Sequence, residues 1–487
     1  MDSIDGDFEE IADGSVVSFG AFIVEIVLLT FFAFIVSSYA GAETYGIISV
    51  LKRLLGIVIG LFGGIMITTQ RTVPRYATEK QSSIFSLSFF VSIGLAVLLA
   101  SLVVVFVPLI ISKTIIPEKR LLYLFSVCIF FAGVLITATN NFKSLRFIRA
   151  THGLEKVLRP LLLVLITATV VFYGSKTVFG VWLGVVLSFG MTGVFSFLYL
   201  VRKTEYSPLV FSWNEATRDF LSYLVPSFLS SVVVQFQFSS YIIFMAVFLT
   251  PVEAGAFGIG LILTSFIRWP LSSVNHIFPP IATKLYNSGK LSKLDKLYEY
   301  TTRIVLIFSI PIVCVVTVYS SELLRIFSIE YAKYSLVIPL IVVGRTVANS
   351  AGSVGLLIMM TDNERINAVV QTILGVITLT FTYLATTTYG IYGIASAYSF
   401  AFVLNNIVEV IFLYKLRGIQ PFTKSHVFIL ATGGGLLSVL LWLKTVIILY
   451  VHFLILIIFI PMYLYIMYSI VLSTDEQTVI RKLILPL

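Results

Sequence analysis

The chain has 487 residues, 58% of them hydrophobic and only 12% charged, with 41 Phe and a mean hydropathy of +1.01. Soluble domains carry about 25% charged residues, so a soluble globular enzyme is excluded. With 31 Gly and 15 Pro in no fixed period, collagen-like and disordered chains are excluded too. The net charge of +9 must therefore be read on a membrane protein, and Cys128 and Cys314, both inside apolar runs, offer neither a disulfide framework nor a metal cluster.

A helix needs about 20 mostly apolar residues to cross about 30 Å of hydrocarbon. On that rule the chain reads as all-α and polytopic, with fourteen spans at about 15–38, 45–69, 83–111, 121–140, 158–173, 178–201, 220–249, 254–278, 303–320, 334–360, 367–387, 389–414, 426–443 and 449–472. Turns such as Gly174 to Thr177 and Thr386 to Tyr389 are too short to hold anything folded. The first span follows an acidic stretch, residues 1–14, and lacks the basic flank of a signal peptide.

Lys and Arg in the connections set orientation. With residues at the span edges counted in the connections, those after even-numbered spans and residues 473–487 hold 22 basic residues, those after odd-numbered spans 7, which places both termini in the cytoplasm of a cell-membrane protein. The positive charge then reads as topology and contact with anionic lipid, with no nucleic-acid partner.

Four helix starts share a pattern. Glu43-Thr-Tyr45-Gly46-Ile47 opens span 2 and Glu253-Ala-Gly-Ala-Phe257-Gly258-Ile259 opens span 8. Val178-Phe179-Gly180 opens span 6 and Tyr389-Gly390-Ile391 opens span 12. Spans 6 and 12 both end on basic clusters, Arg202-Lys203 and Lys415-Leu-Arg417. This order predicts two six-helix halves, 15–203 and 204–417, in one orientation, followed by two extra helices within 418–472.

Further motifs stand in the same order: Ala40-Gly-Ala-Glu43-Thr-Tyr45-Gly46, Thr72-Val-Pro74-Arg75-Tyr76-Ala77, Phe278-Pro279-Pro280-Ile281, Tyr298-Glu-Tyr-Thr301-Thr-Arg303, Glu322 to Phe327 with Glu330-Tyr331, and Asp362-Asn-Glu-Arg365. Together these make the chain resemble the polysaccharide (O-antigen type, Wzx-like) flippases of the multidrug/oligosaccharidyl-lipid/polysaccharide exporter superfamily, across nearly all of the first twelve spans. The resemblance implies a monomeric flippase that carries a lipid-linked oligosaccharide from the cytoplasmic to the outer leaflet by alternating access. Membrane lipids, and the glycosyltransferases, polymerase or ligase of the same route, would be its partners.

Such a substrate carries a phosphate or diphosphate, and a buried unpaired ion is strongly disfavoured in hydrocarbon. Ionisable residues within spans are accordingly the first candidates. Arg268, near the middle of span 8 and followed by Trp269 and Pro270, is a candidate phosphate ligand in a helix that the proline would kink. Lys52 and Arg53, in span 2, sit at a similar place relative to Gly46 as Arg268 does to Gly258, and their alternative is to snorkel to the interface. Arg345 of span 10, with Asn349 one turn on, could line a cavity or pair with an acid. Glu25 of span 1 and Glu409 of span 12 are candidates for a coupling proton or sodium ion, or for charge balance. Gln235, Gln237 and Asn275 are candidate sugar contacts, or polar links between helices. Lys290, Lys293 and Lys296, with Leu291, Leu294 and Leu297 at the same spacing of three, read as an amphipathic helix on the inner leaflet.

No phosphate-binding loop, dinucleotide motif or metal-ligand spacing is legible, so neither an enzyme nor a bound cofactor is expected, and a proton or sodium gradient is the candidate for coupling. A cation-coupled drug exporter of the same superfamily is the alternative, which would expect acids rather than four intramembrane cations. A glycan polymerase or ligase would need a larger outer segment than the sequence offers.

Overall fold

The computed structural model describes residues 20–145, 147–174, 176–204, 212–359, 364–447 and 449–472. Helices are the only regular elements among them. In chain order the long ones are α1 (Gly20–Ala40), α2 (Ala42–Arg75), α3 (Lys80–Val105), α4 (Lys119–Ser144), α5 (Arg149–Tyr173), α6 (Val178–Lys203), α7 (Glu215–Phe248), α8 (Pro251–Ser265), α9 (Trp269–Asn287), α10 (Leu291–Val318), α11 (Val337–Ala351), α12 (Glu364–Arg417), α13 (Lys424–Val446) and α14 (Leu449–Ile470). Ten helical stretches among the described residues are long and apolar enough to cross a membrane. Shorter apolar stretches, Ser239–Phe248, Val337–Ala351 and Ile455–Ile470, fall inside three more of the apolar runs. The protein is an all-α polytopic membrane protein.

The breaks between helices have local causes. Gly41 separates α1 from α2 at φ 102°, and Gly390 interrupts α12 at φ 55°, a conformation that side-chain-bearing residues seldom adopt. Pro74 sits in the tight turn Val73–Arg75 that ends α2. Pro270 follows another, Phe266–Arg268, which splits the eighth apolar run into α8 and α9. Polar caps hold other starts: Thr177 accepts from the Gly180 amide, and Asn214 and Thr217 cap α7 reciprocally.

The helices gather into two compact units. Unit 1 takes the described residues of Met1–Ile262, Leu324–Val337 and Ala368–Ala397; unit 2 takes those of Leu263–Leu323, Ile338–Asn367 and Tyr398–Leu487.

In unit 1, small residues let backbones approach, the usual basis of helix packing in lipid. Gly46 of α2 lies directly against the Pro251 carbonyl of α8, and Gly258 of α8 against Ser49 of α2, so the two glycines of the repeated motif meet at one crossing. Gly64 lies on the Phe228 backbone of α7. The ends of α2 and α7 are tied by Arg75 to Asp219 at 3.9 Å and by the Arg71 guanidinium 3.6 Å over the Tyr223 ring. Tyr331 donates its hydroxyl to the Ala42 carbonyl at 2.7 Å, and burial pushes that phenol's pKa up, keeping the donor proton in place. Two of the sequence motifs thus bind each other here: Ser38 donates to the Phe327 carbonyl, and Phe34 meets Phe327 edge-on.

In unit 2, α13 and α14 pack on α10 through Ile310, Cys314, Ile429, Leu440, Leu456 and Met467, with Gly433 against Ile310. Lys444 reaches Glu322 at 2.8 Å. The basic segment 290–300 is the first part of α10 rather than a separate surface helix. Its Leu294 and Tyr298 are fully buried among Phe278, Leu357 and Ile419, and Leu297 packs beside them. The leucine face expected on the leaflet is instead largely covered by protein, because α9 and the segment Val354–Met359 offer it an apolar surface first; Leu291 alone stays exposed.

Candidate substrate site

A cavity of about 300 Å³ lies within unit 1, between α1, α2, α4, α5 and α6. Five ionisable residues line it: Glu25, Lys52, Glu155, Lys156 and Arg159. Leu29, Leu55, Ile59, Leu135, Ile136 and Phe189 complete the wall, and Gly56 leaves space where a side chain would project.

Pro160 explains the crowding of charge on α5. It has no amide proton, and its ring would clash with the carbonyl four residues back. The helix responds by widening over Gly153–Leu158, so that the Arg159 amide donates to the carbonyl of Leu154. Glu155, Lys156 and Arg159 then all reach the cavity wall.

The five groups are unequally satisfied. Glu155 accepts from Lys143 at 3.1 Å and from the Thr139 hydroxyl at 3.3 Å, both on α4. Glu25 accepts from the Arg159 guanidinium at 3.3 Å, with side chains 21% and 14% exposed. Arg159 also donates to the Glu155 carbonyl at 3.3 Å and lies 5.0 Å over the Phe189 ring. Lys52 has its ammonium 4.1 Å over the Phe32 ring, and Lys156 lies 5.5 Å over Phe22. Neither lysine meets a carboxylate at ion-pair distance among the described residues. With both acids paired, the cavity keeps two cations in excess.

Of the adjacent pair read from the sequence, only Lys52 joins this cavity. Arg53 donates to the Gly258 carbonyl at 3.0 Å and to the Ser49 hydroxyl at 3.4 Å, holding α2 to α8.

Unit 2 carries a second group of cations. Arg268 ends the tight turn Phe266–Arg268 and is exposed. The turn leaves the Ile267 carbonyl to accept from the Asn349 amide at 2.7 Å, and that amide also donates to Ser309 at 2.7 Å. Arg345 is buried, donates through Nη2 to the Tyr398 hydroxyl, and stacks 4.8 Å from Phe402. Its partner is thus an aromatic pair rather than an acid. Its Nε and Nη1, and Asn349 Oδ1, have no hydrogen-bond partner among the described residues. Arg268 and Arg345 are electrostatic neighbours of the same sign.

The remaining candidates have protein neighbours of their own. Gln235 donates to Ser239 at 2.8 Å and lies against Gly60 of α2. Asn275 accepts from Ser353 at 2.6 Å. Glu409 is buried beside Gly355. The Gln237 side chain lies outside the described residues, as does the turn beginning at Asp362.

No protein-family model matches the sequence, and no curated protein is significantly similar to it. Solved structures do match in shape. The lipid II flippase MurJ in an inward closed conformation superposes with TM-score 0.72 at 17% identity, over 94% of this chain and 98% of that one. A multidrug resistance MATE family transporter of the MOP superfamily, in an inward-facing conformation, gives 0.70 at 14% identity over 83% and 98%. A MOP superfamily transporter from Pyrococcus furiosus, described as having a binding pocket of reverse polarity, gives 0.58 at 15% over 84% and 95%. These neighbours are transporters and a flippase rather than enzymes, and the chain has the fold they share.

Proposed function

We propose that this protein is a flippase that moves a lipid-linked oligosaccharide, joined through phosphate or diphosphate, from the cytoplasmic to the outer leaflet during surface-glycan or glycoprotein-glycan assembly. The observation that supports this most is the sign of the charge: Lys52 and Lys156 face a membrane-embedded cavity without a carboxylate partner among the described residues, while both acids there are already paired. A cavity of that polarity suits an anionic group, since cations held in low dielectric are stabilised by an incoming anion. Arg268 and Arg345, of like sign and without a carboxylate among the described ion pairs, add to the same preference. The substrate's sugar would need polar contacts and its lipid an apolar path.

A multidrug exporter is the second reading, favoured by the fold it shares with MATE transporters and by the presence of Glu25 and Glu155 in the cavity. Cationic drugs, however, would meet cations there before they met a free carboxylate.

The test is deletion in the native cell followed by the sidedness of the lipid-linked glycan. Complete glycan trapped on the cytoplasmic leaflet, restored by the wild-type gene and not by Lys52→Ala, is the expected result. Unchanged glycan with new drug sensitivity would replace this reading by the exporter one.

A further inference from the structure

The motif Thr72-Val-Pro74-Arg75-Tyr76-Ala77 has no part in the cavity, yet it forms one side of a second arrangement within unit 1. Pro74 sits in the tight turn that ends α2, and Gln81 of α3 donates to the carbonyls of Val73 at 3.1 Å and Tyr76 at 2.8 Å. That bracing fixes the turn beside the start of α7. On α7, Glu215, Asp219 and Tyr223 recur every four residues and so share one face. The two sides meet in order. Arg71 lies 3.6 Å over the Tyr223 ring, and Asp219 takes Arg75 at 3.9 Å and the Tyr76 hydroxyl at 3.5 Å. Glu215 faces Lys80 at 3.6 Å, and the Ser83 and Ser212 hydroxyls end the row at 2.7 Å.

This row differs in kind from the contact that continues it. Farther along, α2 and α7 pack through glycine: Gly64 against the backbone of Phe228, Gly63 against Ser231 and Gly60 against Gln235. Contacts that close are set by shape rather than by charge. The charged row is open to water, with the side chains of its two ion pairs between 35% and 77% exposed. Such pairs are weak one by one and weaken further in salt. Pro226 marks the junction of the two regions, three residues past Tyr223 and two before Phe228. Having no amide proton, it leaves the carbonyl of residue 222 without its helical donor, and helices bend most readily at such a place. The piece before it has its own start, the reciprocal cap of Asn214 and Thr217, so it can move as a unit.

We propose that residues 212–225 form a hinged flap, latched to the end of α2 and the start of α3 by the charged row. Release swings the flap about Pro226 and opens the mouth of the α2–α7 seam to water while the glycine contacts hold. The device responds to ionic strength. It goes beyond the flippase reading, and its test needs no substrate.

The experiment uses the purified full-length protein in lipid nanodiscs, where both faces are open to reagents. Ser227, buried at the mouth of the seam beside Gly64, is the reporter: Ser227→Cys is labelled with a charged, membrane-impermeant maleimide, against the background of the buried Cys128 and Cys314. Labelling is expected to be slow in about 0.01 M salt and several-fold faster in about 1 M salt, where the screening length falls from about 30 Å to about 3 Å. Arg75→Gln with Lys80→Gln should label about tenfold faster in low salt and lose the salt dependence. Ser83→Cys with Ser212→Cys, whose hydroxyls already touch, should cross-link under mild oxidation, return labelling to the slow rate in either salt, and lose that protection on reduction. Pro226→Ala should keep labelling slow in both salts. Lys80→Glu alone should label fast, whereas Lys80→Glu with Glu215→Lys restores the pair and should restore slow labelling, which a general loosening of the fold would not do. Labelling that ignores these latch variants, that is unchanged by the cross-link, or that the charge exchange fails to slow overturns the inference. The flippase reading stands or falls separately, on the glycan sidedness assay.

Discussion

Neutralising Glu25 should harm the fold more than neutralising its partner. The two groups lie 3.3 Å apart with most of both side chains buried. At an effective dielectric of about 20, unit charges at that distance attract by about 5 kcal/mol, and desolvation of the two ions offsets several kcal/mol of it. Glu25→Gln leaves Lys52, Lys156 and Arg159 lining one cavity against the single acid Glu155, which Lys143 already engages. Arginine cannot shed its charge, so this variant is expected to lose about 3 kcal/mol. Arg159→Gln leaves a carboxylate that Lys52 and Lys156 still face and that can take a proton, so its loss should be nearer 1 kcal/mol. The double variant removes both charges and should fall close to Arg159→Gln, giving a coupling of about 3 kcal/mol. Reversible unfolding in mixed micelles, followed through the fluorescence of the buried Trp182 at neutral pH, measures all three. Additive losses, or a larger loss in Arg159→Gln than in Glu25→Gln, would refute the account of this pair.

Other consequences follow from packing and from the second cation group. Gly64→Ala forces a methyl into the Phe228 backbone and should destabilise by about 1–3 kcal/mol, whereas Gly94→Ala, with no atom within 4 Å of the new carbon, should be neutral or gain up to about 1 kcal/mol in the same assay. Gly390→Ala places a side chain at φ 55°, ψ −128°, a combination open essentially to glycine, and should cost about 1–3 kcal/mol. Arg268→Gln should abolish glycan export with unfolding unchanged, because Arg268 is exposed and forms no ion pair among the described residues. Arg345→Gln should change both readouts, since it removes the contacts to Tyr398 and Phe402 as well as the charge.

Much of the architecture is legible in the apolar runs because lipid forces every backbone polar group to be satisfied within its own helix. Several residues singled out by pattern also have a visible reason: Gly46 and Gly258 at one helix crossing, Gly390 at a left-handed break, Arg268 in the turn before Pro270. The heart of the candidate site is less legible. Arg159, Lys156 and Glu155 stand next to Pro160, where an apolar-run boundary counts them as a connection, and the widened turn that carries them into the wall is a response to proline that hydropathy does not register. Three charged residues within five positions before a proline are the signal that could have found them. Arg53 shows the converse problem: beside Lys52 it reads as a second ligand, yet one residue along a helix turns it about 100° away, onto the Gly258 carbonyl. Leu294 and Leu297 show a third limit, since an apolar stripe fits lipid and protein equally and only the neighbouring helix decides.

The sign of the cavity separates the two transport readings more firmly than its fold does, because flippases and drug transporters share that fold. A site built for organic cations needs at least one carboxylate free to meet them. Here each acid already has a cation within 3.3 Å, and the unmatched groups are lysines resting on aromatic faces. Cation–π contact contributes roughly 0.5–2 kcal/mol, well short of the several kcal/mol lost on taking an ammonium ion out of water. The lysines are therefore held in place without being satisfied, and an anion gains most from entering. If the protein instead carried cationic drugs, Lys52→Gln should improve export by removing repulsion. If it carries a phosphate-linked glycan, the same substitution should impair it, and one complemented strain assayed for both substrates decides between them.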